Sequence, residues 1–179
     1  MNKQSFLFTA LLGCMLFQSS CLTVTIPDPE EILGEASMRA EINGESFAAN
    51  GILVSGELTE SNASVQTLAI GAAELPIGGL TRGLVLAVVS SDGSGIVAGT
   101  TYSASSTTGR AAGEYTLDDD QIDVKAVSAN TEVATITITD IDFDQQLVSG
   151  TFSFDGVDEN DPTTIYEVRE GVFTDVSFD

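Results

Sequence analysis

Residues 134–154 read ATITITDIDFDQQLVSGTFSF. Ile136 and Ile138 alternate with threonines, and Phe152 and Phe154 alternate with Thr151 and Ser153. Side chains of an extended chain point to opposite faces in turn, so this period of two puts the apolar residues on one face and the hydroxyls on the other. The polar stretch at 142–146 joins the two runs, and together they predict a long antiparallel hairpin with one face on a core. The alternation breaks once. Ile136 and Ile138 share one parity, whereas Ile141 and Phe143 share the other. The inward face therefore switches near Thr139–Asp140, as at a β-bulge or the approach to a hairpin end.

Working outward, the period stays at two. MRAEINGESFAA (38–49) is two short alternating runs around Asn43-Gly44, a pair that tolerates positive φ and marks a tight hairpin. GILVSGELTE (51–60) and SVQTLAIGA (64–72) follow as strands. RGLVLAVVSS (82–91) is nearly continuous apolar sequence, which predicts a central strand buried on both faces. SDGSG (91–95) reads as a turn, and GTTYSAS, GEYTLD and QIDVKAVS are weaker strand candidates. TTIYEVRE (163–170) and GVFTDVSF (171–178) complete the set. About ten to twelve short strands with no helix after residue 34 give an all-β fold, either an antiparallel β-sandwich or a partly closed β-barrel.

The first residues have a different character. MNKQSFLFTALLGCMLFQSSC begins with Lys3, continues with an apolar run from Phe6 to Phe17, and ends in Gln18, Ser19 and Ser20 before Cys21. That is the layout of an export signal. An apolar run of about twelve residues rises only ~18 Å as a helix, short of a ~30 Å hydrocarbon core. Cys21 resembles the acylated cysteine of bacterial lipoproteins, although Gln18 stands where the usual box has an aliphatic residue. LLGC, ending at Cys14, is nearer that box, but choosing it shortens the apolar run and leaves Met15, Leu16 and Phe17 at the mature end. Plain secretion is the third reading. The preferred division is a signal peptide over 1–20, an acylated Cys21 with a flexible tether over 21–34, and a single all-β domain over 35–179. Pro27 and Pro29 stiffen the tether.

Charge and missing residue types exclude several function classes. Six basic residues face twenty-seven acidic ones, for a net charge of −21, which repels nucleic acid and anionic headgroups. The chain has no histidine. Cleavage before Cys21 would leave no free thiol, so imidazole and thiolate metal sites and His-dependent triads are not expected. No phosphate-binding glycine loop stands between a strand and a helix. Carboxylates remain, and three groups are candidate calcium ligands. Asp118, Asp119 and Asp120 lie with Asp123 in LDDDQID, and Asp155 and Asp158 lie with Glu159 and Asp161 in DGVDENDP. Both stretches read as acidic loops between strands, without the spacing of an EF-hand. Asp140, Asp142 and Asp144 alternate in DIDFD. On one continuing strand they would share a face at ~6.6 Å per step, a spacing that suits a hard cation or the acid pair of a glycoside hydrolase. The switch of face favours solvated edge acids that discourage strand-to-strand aggregation instead. No resident cofactor is expected, Ca2+ being the one candidate.

The aromatic residues are few. There is no tryptophan, the commonest sugar platform. Phe47, Phe152, Phe154 and Phe173 lie at apolar parity and are expected in the core. Tyr102, Tyr115 and Tyr166 are either exposed platforms or, as the residue type favours, buried with a satisfied hydroxyl.

The order EINGESFAA, AGTTYS, ATITITDIDFDQQLVSGTFSFD and GVFTDVSF behind this signal resembles a family of small uncharacterised lipoproteins of Bacteroidota. The resemblance covers roughly residues 36–178 and is most specific at 134–154. It implies an anchored β domain on the outer membrane, periplasmic or surface-facing, and it brings no catalytic residues across. The expected function is a lipid-anchored, non-catalytic envelope module that binds or scaffolds another envelope protein or a glycan. The alternatives are a small-ligand or glycan-binding accessory of an outer-membrane uptake system, and a carboxylate-dependent hydrolase. The expected partners are the membrane, through the anchor, and an envelope component, with no nucleic acid.

Overall fold

The 134–154 hairpin forms as its alternation requires. A computed structural model describes residues 36–62, 64–74, 80–106, 109–118 and 123–179. The signal, Cys14, Cys21 and the tether lie outside the described residues, as do Asp119 and Asp120. Eleven strands occur among the described residues: β1 Ser37–Ile42, β2 Glu45–Asn50, β3 Val54–Asn62, β4 Val65–Ala73, β5 Thr81–Ser90, β6 Thr100–Ser103, β7 Gly109–Asp118, β8 Asp123–Val127, β9 Ala134–Asp142, β10 Leu147–Asp158 and β11 Ile165–Ser177. Single 3-10 turns at Gly51–Leu53 and Ser128–Asn130 are the helical elements described. Among these residues no helix is long and apolar enough to cross a membrane.

All eleven strands belong to one antiparallel sheet, ordered β2-β1-β11-β10-β8-β7-β5-β4-β3, with β6 on β9 and β9 on β10. The fork lies in β10. Its residues 147–154 pair with β9, whereas Val157 and Asp158 pair with Val127 and Ala126 of β8. A sheet with this many twisted strands curls, and here it makes a half-barrel. The chain end after β11 reaches the far edge: Gly56 of β3 forms a parallel bridge with Phe178, and the Leu58 N–H donates to the Asp179 carbonyl at 2.9 Å. Of the two architectures left open, the protein adopts the partly closed barrel.

The local signals are where the sequence put them. Asn43 and Gly44 have φ of 50° and 81° and join β1 to β2 as a two-residue turn with positive φ at both centres. In the β9–β10 pair Ile138 faces Gly150 and Asp140 faces Ser149, so Thr139 is the extra residue of a bulge. Before it, Ile136 and Ile138 are buried, and after it Ile141 is half-buried while Asp140 is exposed. Phe143, 53% exposed, reaches over the hairpin tip and meets Phe178 edge to face with centroids 6.1 Å apart.

Three expectations are corrected. β5 is central, between β4 and β7, but only one of its faces is fully buried: Leu84, Leu86 and Val88 point inward and Val85 is 44% exposed. A single curled layer has one concave face to fill, and among the described residues no second layer covers the convex side as it would in a parallel sheet. TTIYEVRE and GVFTDVSF are not two strands but the single β11. Glu170 takes φ of 52°, and the register slips against both β1 and β10 around it. This bulge bends the strand without ending it. Finally, β10 runs on to Asp158 and β7 to Asp118. Asp118, Asp155 and Asp158 are therefore strand residues, and the second acidic loop shrinks to residues 159–164.

The core fills the concave side. Phe47, Phe154, Phe173, Met38, Leu68 and Ile70 are among its largest fully buried side chains. Several phenylalanines lie over bare glycine backbone on neighbouring strands. A Cβ on Gly113 would overlap the Phe154 ring, one on Gly150 would overlap Phe173, and one on Gly171 would come 2.6 Å from Phe152. The missing side chains make room for the rings.

Candidate functional site

Of the six described aspartates singled out as calcium ligands, Asp142, Asp155 and Asp158 are engaged by their own surroundings. Asp142 Oδ1 accepts the N–H groups of Asp144 and Gln145 at 2.8 and 2.9 Å, and Oδ2 accepts Gln145 Nε2 at 2.7 Å. These bonds, that from the Gln145 backbone foremost, hold its carboxyl below the usual range. Two other turns are built the same way. Asp161 accepts from Thr163 N, Thr163 Oγ1 and Thr164 Oγ1 at 3.0, 2.7 and 2.8 Å, and Asp92 accepts from Ser94 N and Oγ at 2.9 and 2.5 Å. The Thr163 and Ser94 hydroxyls contribute most to lowering these two carboxyls. Aspartate favours turns for this reason: its side chain bonds the backbone two residues on.

β9 ends at Asp142, so Asp140 and Asp142 stand on its last residues while Asp144 lies beyond it, and the three do not form a row on one strand. Asp144 sits exposed in the hairpin turn. Asp155 lies 2.5 Å from Arg169 Nη2, an ion pair off the hydrogen-bond axis. Asp158, buried at the end of β10, accepts the Asn160 N–H at 2.8 Å. Asp118 faces Asp123 across β7 and β8. Among the described residues no group of three or more acidic, cysteine or histidine side chains is placed to hold a metal ion.

A cleft of about 350 Å³ opens where β7 and β11 approach each other. Tyr115 of β7 and Tyr166 of β11 line it together as a packed pair, with ring centroids 5.2 Å apart at 44°. In the sheet, Tyr166 pairs with Gly156 and Tyr115 with Ala126. These two small residues abut, since a Cβ on Gly156 would come 2.9 Å from the Ala126 carbonyl. With no bulk between them, the rings meet across two intervening strands. Ile42, Leu80 and Leu117 supply apolar lining, and Asn43, Glu45 and Arg82 form a polar side. Burial foremost pushes the Tyr115 phenol up to about 12. Burial and then Asp158 and Asp161 raise Tyr166. Both hydroxyls are protonated donors at neutral pH.

Arg82, the first residue of the apolar β5 segment, is the polar residue that sequence reasoning missed. Its Nε donates to Glu74 Oε2 at 2.6 Å and its Nη2 to the Ser46 carbonyl at 2.6 Å. Glu74 Oε1 accepts the Ala48 N–H at 2.7 Å. Two backbone groups on the outer edge of β2 are thus satisfied by side chains, where a further strand would otherwise stand. The ion pair is largely withdrawn from water, with side chains 16% and 18% exposed. Glu45 Oε2 lies 3.8 Å from Arg82 Nη1. Arg82→Ala would strand the Glu74 carboxylate and the Ser46 carbonyl together. It is expected to cost about 1–3 kcal/mol in urea unfolding, with a smaller loss for Glu74→Gln, which keeps an acceptor for Ala48. An unchanged midpoint for Arg82→Ala would remove the clip from the account. The available sequence signal was a basic residue opening an apolar strand in a chain with only six basic residues.

A second, more open groove of about 430 Å³ lies along β3–β5, lined in part by Glu57, Gly71, Val85 and Asp179.

Compared with known proteins, the chain matches over residues 34–177 a family model described as a domain of unknown function, DUF6252. No curated protein and no solved structure matches it.

Proposed function

The chain belongs to the DUF6252 family, a domain of unknown function, and we propose that it is a lipid-anchored, non-catalytic binding or scaffolding module of the bacterial cell envelope, held at the outer membrane. The observation that carries this is Cys21, standing directly behind an apolar run led by Lys3 and ahead of a proline-containing acidic stretch. Acylation at Cys21 supplies the attachment: each buried methylene contributes about 0.8 kcal/mol, and two or more chains give lasting residence. A body of strongly negative charge then stays at a surface its own electrostatics would not favour. The thirteen residues from Leu22 to Gly34 extend to at most ~40 Å, at about 3.3 Å each, which lets the domain meet partners beyond the headgroups. The absence of histidine supports a non-catalytic role.

Crosslinking in intact cells of the native host, followed by mass spectrometry, tests the role. The expected result is one envelope component recovered repeatedly with the acylated chain and depleted when Cys21→Ser releases it. A crosslink pattern indistinguishable from that of an unrelated acylated protein would contradict it. The Tyr115–Tyr166 cleft favours a second reading within the same address, a small-ligand-binding accessory lipoprotein. At about 350 Å³ it falls at the lower end of ligand-site sizes and has their mixture of apolar walls and a few polar groups.

A further inference from the structure

We propose that the cleft beside the packed Tyr115–Tyr166 pair binds one neutral sugar ring, free or at the end of a glycan, with the ring against Tyr166 and adjacent hydroxyls on Arg82 and Glu45. This rests on the small-ligand reading of the cleft and names its ligand class.

Size comes first. About 350 Å³ is near the bottom of the range that holds drug-sized molecules, so the cleft takes a single ring rather than an extended chain. Charge comes second. The protein carries −21, Glu45 stands on the rim, and Asp158 and Asp161 act on Tyr166, so an anion is repelled. The lining itself holds one carboxylate and one guanidinium, Glu45 and Arg82, and so offers no net charge to a cation. A neutral ligand remains.

The polar groups then select the kind of neutral ligand. Arg82 is fixed by Glu74 through Nε and by the Ser46 carbonyl through Nη2. It does not rotate freely, and its Nη1 points toward Glu45 at 3.8 Å, beyond hydrogen-bond distance. A guanidinium has five N–H donors and a carboxylate about four acceptor positions, so both keep capacity after these contacts. A fixed donor beside an acceptor matches two neighbouring hydroxyls, one accepting from Arg82 while the next donates to Glu45. The half-buried Tyr166, backed by the buried Tyr115, and Leu117 offer an apolar surface to the C–H face of a sugar. A purely apolar ligand would leave the Arg82–Glu45 side desolvated without partners.

The chain itself supplies the probe. It has no tryptophan and three tyrosines, two of them in the cleft; Tyr102 is buried elsewhere, against Gly109. Tyrosine emission of the full chain carrying Cys21→Ser is titrated with glucose, galactose, mannose and N-acetylglucosamine. Sorbitol serves as an open-chain polyol, and choline and inorganic phosphate as charged comparators. The expected result is saturable change with at least one hexose and none with the comparators, weakened at least tenfold in Glu45→Gln and in Tyr166→Ala. Glu45 is exposed, so its substitution leaves the fold intact and keeps the test decisive if Tyr166→Ala unfolds. Saturation by choline or phosphate alone would overturn the sugar assignment while leaving a ligand site. Saturation by no compound would overturn both. Hexose binding unchanged in Glu45→Gln would overturn the placement.

Discussion

Phe154→Ala is expected to lower the unfolding free energy by about 3–5 kcal/mol, the usual cost of emptying a buried phenylalanine site. Phe154 is 1% exposed and sits on β10, the strand that pairs with β11 on one side and with both β9 and β8 on the other. Its ring lies over Gly113 of β7, so the cavity would open where the two branches of the sheet meet. Gly113→Ala tests the same contact from the opposite side. The new Cβ would overlap the ring, and Gly113 cannot back away freely because its N–H donates to the buried Ser128 Oγ at 2.8 Å. Overpacking of this kind costs about 1–3 kcal/mol. Because the two changes act on one contact, Gly113→Ala combined with Phe154→Leu should cost less than the sum of the two single changes. Urea unfolding of the wild type, Phe154→Ala, Gly113→Ala, Phe154→Leu and the double variant measures this. Additive costs, or a loss below about 1 kcal/mol for Phe154→Ala, would show that the ring over the glycine is not what joins the branches.

Cys21→Ser is expected to move the protein almost completely from the membrane fraction to the soluble one. The sulfur proposed to bear the acyl group is replaced by an oxygen that takes no thioether, and no other attachment is expected from a chain of −21 net charge. Cys14→Ser serves as the control, with unchanged partition expected because cleavage before Cys21, as proposed, would remove that residue. The reverse pattern, with Cys14 required and Cys21 dispensable, would move the acylation site to the LLGC sequence.

The parts of the fold that were legible in the sequence rest on near neighbours. Ile136, Ile138, Phe152 and Phe154 announced their face by parity, and the break in parity located the bulge at Thr139. Asn43-Gly44 announced its turn because few residue pairs accept two positive φ values. Where sequence reading went astray, a local signal had two physical causes. Glu170-Gly171 looks like a chain reversal, but its positive φ serves a bulge inside one strand. The apolar run of β5 resembles a strand covered on both sides, yet half of it lines the outside of a curled layer.

The cleft was less legible. Tyr115 and Tyr166 meet only because Gly156 and Ala126 stand between them in a register set by β8, β10 and β11. No window of sequence holds that information. The Arg82–Glu74 clip was hidden similarly, since its meaning depends on which strand edge ends beside it. The acidic turns were readable in part. Asp92-Gly-Ser, Asp142-Phe-Asp-Gln and Asp161-Pro-Thr-Thr each place a donor where an aspartate can cap its own turn, and that use competes with any ligand for the same oxygens.

The account stands most directly on the chemical state of the mature N-terminus. Mass spectrometry of the N-terminal peptide, taken from membranes of the native host, should find a chain that begins at Cys21 and carries fatty acyl mass on that residue. An unmodified peptide, or one that begins elsewhere and is recovered from the soluble fraction, would contradict the anchor and the envelope role built on it.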